Sequence, residues 1–211
     1  MQNVYNLIAE EWNEYKQKPL PAAEMLFIYA VGNAVLDAGT GNGRHLPLLA
    51  KKFEKVYAID SSAKLLEIAK RNHSDLKVNF EVADVSLLPF PENSFDTILC
   101  TAVLHHLNAE DAVVAFNELR RVLKPGGVLL ASVWNKHQQR FEKISGNEAD
   151  VSWKMKSGNV VQRFVYFFEK KDVEQLAADA GFEVVEIFFE KNGEKSEQKG
   201  AGNLCFVLKK V

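Results

Sequence analysis

Residues 33–50 read NAVLDAGTGNGRHLPLLA. A short apolar run, Ala34 to Leu36, ends in Asp37, and glycines at 39, 41 and 43 follow with small polar residues between them. The pattern predicts a buried strand, a glycine turn, then a helix over 43–53 with Pro47 in its first turn, where a missing N–H costs least. Glycines so spaced let backbone N–H groups approach a ligand closely. The ligand and the chemistry done on it are the questions the rest of the chain must answer.

The same rhythm extends outward. KVYAID (55–60) is a second strand, and SSAKLLEIAKRN (61–72) is a helix with a serine cap and an apolar face at Leu65, Leu66, Ile68 and Ala69. KVNFEVAD (77–84) is a third strand, and SFDTILCTAVLHHL (94–107) begins as a fourth. AEDAVVAFNELRRVL (109–123) is an amphipathic helix stopped by Lys124-Pro125-Gly126-Gly127, and VLLASVW (128–134) is the fifth strand. After Trp134 the periodicity breaks, and residues 136–162 are polar, an insertion near the mouth of the sheet. Order returns at 169–191 with a helix closed by Gly181 and a strand, and 202–211 is a last strand. The charged, glycine-rich stretch 192–202 between them is expected to be a mobile hairpin connection.

Strands alternating with helices over short loops predict an α/β, Rossmann-like doubly wound fold, a mostly parallel seven-stranded sheet with an antiparallel C-terminal edge. One domain, 1–211, is expected. It divides into a leading helix or lid (1–30), a ligand-binding core (31–135), a substrate-side insertion (136–165), and a C-terminal helix with a strand pair (166–211). Bulk properties agree. The 47% hydrophobic and 26% charged fractions exclude a disordered chain, and no apolar run approaches the ~18–20 residues of a membrane helix. The N-terminus has no basic start followed by an apolar run, so no secretion signal is expected, and the two cysteines, Cys100 and Cys205, suit buried thiols in the cytoplasm. The net charge of −2 is uneven, since residues 136–171 carry 8 Lys+Arg against 4 Asp+Glu, a local basic segment able to attract a polyanion.

Ligands of such sheets bind beyond the carboxyl ends of the strands. A dinucleotide site prefers G-x-G-x-x-G with a pyrophosphate at the helix start, whereas here the spacing is G-x-G-x-G with Asp37 two residues ahead. That carboxylate repels phosphate and welcomes an ammonium. Asp60, 21 residues beyond Gly39, closes the second strand with Ser61 beside it, placed to accept ribose hydroxyls, or else to cap the next helix. Asp84 closes the third, with Val85 beside it, suited to an adenine. Gly39, Thr40, Gly41, Asn42, Gly43 and Thr101, at the end of the fourth strand, complete the predicted pocket. An amino acid joined to a nucleoside fits this set, and S-adenosylmethionine is the candidate.

The whole core pattern resembles a class I S-adenosylmethionine-dependent methyltransferase. AVLHHLNAED, SVWNKHQQRF, WNEYKQKPLP and VQRFVYFFEKKDVEQLAADAGFEVVEI resemble, more closely, the tRNA wobble-uridine carboxymethyl methyltransferases. The resemblance implies methylation of the carboxylate of a 5-carboxymethyluridine in the tRNA anticodon loop. It also implies a small zinc-binding activator subunit docked on an apolar edge. Departures stand at Lys16, Gln17 and Leu20, where the family has arginine, tyrosine and tryptophan.

Methyl transfer from a sulfonium is an in-line displacement, so alignment supplies most of the catalysis. An amine or phenol acceptor needs a base, but a carboxylate is already ionised at neutral pH. Both charges fade in its transition state, so neutral donors and aromatic walls are expected around the acceptor, with cations further out. His105 and His106 at the end of the fourth strand and Trp134 at the end of the fifth are the candidates, with only one histidine facing the site. Each has a packing alternative. Arg163 matches the family's arginine before an aromatic run and is expected to hold a carboxylate or phosphate, or else to make a surface ion pair. Tyr5, Trp12, Tyr15, Lys16 and Lys18 belong to a leading helix and loop closing over the cofactor. His45, His73 and His137 lack metal-ligand spacing, so no metal is predicted. The functional alternatives are a small-molecule methyltransferase, for quinones or natural products, and a non-catalytic subunit that binds the cofactor.

Overall fold

The computed structural model describes residues 4–211. Five parallel strands, β1 (Ala34–Ala38), β2 (Lys55–Asp60), β3 (Val78–Val82), β4 (Phe95–Thr101) and β5 (Leu123–Trp134), lie in the order β3-β2-β1-β4-β5. Beyond β5 come β10 (Asn203–Lys210), antiparallel to it, and β8 (Phe182–Lys191), which is antiparallel to β10 and so runs with the first five strands. All five residues of β1 are buried, because helices cover both faces of the sheet. Leu36 points into one apolar cluster with Ile98 and Phe206, under α5 (Ala109–Val122) and α6 (Lys170–Ala180). Its neighbour Val35 points into the other, with Leu99 and Val207, under α2 (Pro21–Leu26) and α3 (Leu46–Ala50). Continuous apolar runs, rather than alternating ones, are therefore the signature these strands carry. Fully buried Phe116 stacks on Phe206 across the first cluster at 6.1 Å, and truncating such a ring costs about 3–5 kcal/mol.

The predicted architecture holds, with local differences. α3 begins at Leu46 rather than at Gly43, because Gly43 has φ +82°, a backbone conformation that no α-helix continues. A short strand, β9 (Glu194–Ser196), pairs with β8, so the sheet has eight strands rather than seven. The segment expected to be a mobile connection is thus partly built into the sheet. Glu190, 3% exposed, fixes it by accepting from the Gly193 N–H and from Asn203 Nδ2.

The insertion is ordered as well. β6 (Glu148–Lys154) and β7 (Val160–Tyr166) form a separate antiparallel hairpin with Val151 opposite Arg163 and Trp153 opposite Val161. Its base packs through Val165 on Phe141 and Phe167. At the other end of the chain, α1 (Val4–Tyr15) lies on α4 (Ala63–Asn72), with Ala9 against Leu65 and Ile68. Asn6 Oδ1 accepts from Ser62 Oγ and the Lys64 N–H, which fixes α1 over the start of α4.

Candidate active site

A cavity of about 300 Å³ opens beyond the carboxyl ends of β1, β2 and β4, where the strand order reverses. Its floor is the glycine turn. Gly39 has φ +80°, and a Cβ there would meet Val103 Cγ2 at 2.2 Å, so both backbone and space demand glycine. Gly41 has φ +59° and faces open space, with only Trp12 Nε1 near, at 3.8 Å. The turn is tied to β2, since Gly39 and Thr40 N–H groups donate to the Ile59 carbonyl and the Gly41 N–H donates to Asp60 Oδ2. Asp60 Oδ1 takes the Ser62 N–H, while Ser62 itself caps α4 through its hydroxyl, so Asp60 is not the helix cap. Burial pushes the Asp60 carboxyl up to about 6, against the pull of its two backbone donors.

Of the predicted cofactor residues, Gly39, Thr40, Gly41, Asn42, Asp60, Ser61, Asp84, Val85 and Thr101 all line the cavity. Asp37 and Gly43 do not. Asp37 is 1% exposed within the central strand and reaches the site only through Thr40, whose Oγ1 donates to it at 2.7 Å. Gly43 packs instead near His73 and Leu46. Asp84 lies past the end of β3, where its Oδ1 accepts from the Ser86 N–H and hydroxyl.

The histidines are not at a strand end, because β4 stops at Thr101 and both sit in a 3-10 turn, Leu104–His106. Successive residues there diverge, and only His106 lines the cavity. Its Nδ1 lies 2.8 Å from the Phe164 carbonyl, which can only accept, so Nδ1 carries the proton. Nε2 therefore accepts from the Tyr5 hydroxyl at 2.7 Å. Burial drives His106 down to about 4, with the Phe164 bond opposing, and drives Tyr5 up to about 12, with Arg163 opposing. Both are uncharged at neutral pH.

His105 is fully buried and stacked on Trp134 at 4.5 Å, accepting the Trp134 N–H on Nδ1. It is a core histidine, and Trp134 is its packing partner rather than a wall of the cavity. Arg163 does line the cavity. It is 5% exposed, hydrogen-bonds Tyr5, and lies over the rings of Trp134 and Trp153. It forms no ion pair among the described residues, contrary to the surface-pair alternative.

The family assignment comes from comparison. Residues 36–131 match the family described as a methyltransferase domain. A putative methyltransferase of Encephalitozoon cuniculi is 33% identical over 75% of this chain and 74% of its own length. The chain belongs to the methyltransferase-domain family. The Arabidopsis thaliana tRNA (carboxymethyluridine(34)-5-O)-methyltransferase is 37% identical over 64% of this chain, which spans only 33% of that protein. Among solved structures, a putative methyltransferase in complex with the Haloferax volcanii Trm112 methyltransferase activator shares the fold, with a TM-score of 0.73 at 19% identity, covering 97% of this chain and 95% of that one.

S-adenosylmethionine is the methyl donor of this methyltransferase. The cavity suits it, offering carboxylates for hydroxyl and amino groups, an open glycine floor and a cation. That cation, Arg44, was missed by sequence reasoning, although it directly follows the third glycine. Asn42, predicted as a cofactor-binding residue, also donates from its Nδ2 to Asn13 Oδ1 and the Lys16 carbonyl, tying α1 down across the cavity. Ala102, with φ +59°, is a strained non-glycine residue in the wall that no sequence pattern announces.

Proposed function

We propose that this methyltransferase esterifies a nucleoside carboxylate, the 5-carboxymethyl group of a tRNA wobble uridine. One observation carries the reading: among the described residues, the acceptor side of the cavity holds a buried cation and no free base. The His106 lone pair is occupied by Tyr5, and burial opposes its protonation. An acceptor that needed deprotonation would find nothing to take its proton, whereas a carboxylate arrives ionised. Arg163, buried without an acidic partner, calls for an anion. Its charge is shared with Tyr5 and two indole faces, which softens the clamp and limits ground-state stabilisation.

When bound, S-adenosylmethionine supplies an electrophilic methyl group on a sulfonium. Asp60 and Asp84 would accept from its ribose and adenine, the Gly39–Asn42 turn would support its amino-acid end, and Arg44 would face its carboxylate. Asp37 would act through Thr40. Tyr5 and Trp12, on α1, would exclude water. The relative from Arabidopsis, named for carboxymethyluridine at position 34, supports the substrate. The Haloferax complex supports an activator subunit, which the family resemblance makes small and zinc-binding, and the free β3 edge with the loop after it, where Val82 and Leu87 are 54% and 77% exposed, is the apolar edge we assign to it. We place the protein in the cytoplasm, where tRNA and reduced Cys100 and Cys205 coexist.

The test is incubation with methyl-labelled cofactor, activator and tRNA bearing 5-carboxymethyluridine, followed by mass spectrometry of the nucleosides. An alkali-labile methyl ester at that uridine is expected. Alkali-stable label, or transfer only to small aromatics, contradicts the proposal.

A further inference from the structure

All three tryptophans of the chain belong to one run of ring contacts that leads away from the cavity. Lys16 Nζ lies 5.7 Å from the centre of the Trp12 ring, and Trp12 packs against Trp153 at 5.6 Å. Arg163 lies over Trp153 at 5.3 Å and over Trp134 at 5.4 Å, and Arg140 covers Trp134 at 4.3 Å. The order is therefore Lys16, Trp12, Trp153, Arg163, Trp134, Arg140. Four separate parts of the chain build it: α1 with the residue just past its end, the β6–β7 hairpin, the end of β5, and the 3-10 turn Gln139–Phe141.

Its charge is uncompensated. None of Lys16, Arg140 and Arg163 forms an ion pair among the described residues, and neither does Arg44 nearby. The Lys16 amine is held below its usual range by burial and then by Arg44, Arg140 and Arg163, so these cations feel one another. Arg163 Nε and Trp153 Nε1 are buried N–H donors with no partner. Such a cluster costs free energy until an anion reaches it, and the unused donors point to a ligand.

We infer that this run is a docking groove for single-stranded RNA, which takes the nucleotides flanking the acceptor base with phosphates on Lys16 and Arg140 and bases against the Trp12 and Trp153 rings. The inference rests on the acceptor being a nucleotide within RNA. Alternating cations and aromatic faces are the composition that binds single strands, because every base has a face to stack and every phosphate a charge. An acidic peptide offers charge without flat bases. A small metabolite fills the cavity at Arg163 and leaves exposed Arg140 unused.

Because the groove holds every tryptophan, and Trp12 also lines the cavity, intrinsic fluorescence reports the groove when no cofactor is added. The probe is an unmodified oligoribonucleotide of about eight nucleotides, within the span such grooves accommodate. We expect it to quench the tryptophan emission of the full chain, with affinity falling steeply as salt rises. Arg140→Glu should weaken binding at least tenfold, and Arg140→Ala should lower the salt slope by about 1, the loss of one phosphate contact. Affinity for S-adenosylmethionine, measured by calorimetry, should be unchanged in both, showing an intact fold. Equal oligonucleotide affinity in wild type and both variants overturns the inference, and so does heparin, an anion without bases, quenching as well as RNA. The probe lacks a carboxymethyl group, so its binding is read apart from the chemistry: probe binding with no ester formed on carboxymethyluridine-bearing tRNA defeats the proposed function and leaves the groove. Ester formation on tRNA with a KM unaltered by Arg140→Glu does the reverse.

Discussion

Asp37 lies in a strand buried on both faces, and burial pushes its carboxyl up to about 7, with the Thr40 hydroxyl and then Arg44 pulling it back. An unfolded aspartate titrates near 4, so between about pH 4 and 7 the folded chain keeps a proton that the unfolded chain has lost. Stability from this group is therefore lost as pH rises through that interval. Without cofactor, Asp37→Asn should melt higher than wild type at pH 8, with the advantage shrinking towards pH 5; a constant difference in thermal melts would refute this. Tyr5→Phe removes the hydroxyl that joins His106 and Arg163 at the acceptor side, and kcat should fall at least about tenfold. The pH–rate profile should stay flat where His106, at about 4, and Tyr5, at about 12, do not titrate. Steady-state rates with labelled donor measure both. The sequence could identify the two histidines but not choose between them, because strand alternation does not apply in a 3-10 turn.

At the scale of elements, the glycine turn was legible, since its three positive-φ positions favour glycine and at Gly39 space demands it as well. Gly39→Ala combines a left-handed φ with a Cβ 2.2 Å from Val103. It should cost about 2–4 kcal/mol, by strain and overpacking together, and abolish cofactor binding. Denaturant unfolding and calorimetry read these separately, and a variant that binds normally would show that the turn adapts. The β6–β7 hairpin was not legible. Its inward positions include Ala149, Val151, Trp153, Val161 and Val165, which is a period-two pattern, but Arg163 shares that face and breaks its polarity. The residue that hid the strand also lines the cavity. Tip contacts repeat the theme across distance, as the Lys156 N–H and ammonium reach Glu11 and Glu14 of α1.

Over the whole molecule, fold class followed from the strand–helix rhythm, while the eighth strand did not, being three residues inside a charged, glycine-rich stretch. The uneven charge also had physical content, because Arg140 and Arg163 of the basic segment meet Lys16 and Arg44 only in the folded chain. The free β3 edge makes a prediction at this scale. Val82→Lys should abolish co-elution with a small zinc-binding activator in size exclusion, with no change in melting temperature beyond a degree or two; retained co-elution would put the activator elsewhere. Central to everything above is a donor held at the strand tips by Asp60. Calorimetric titration with S-adenosylmethionine tests that most directly, with Asp60→Ala compared against wild type at matched folded fraction. One molecule should bind per wild-type chain, and the variant should bind about 100-fold more weakly, the loss of charge-assisted hydrogen bonds. Equal affinity in the two proteins would contradict the assignment.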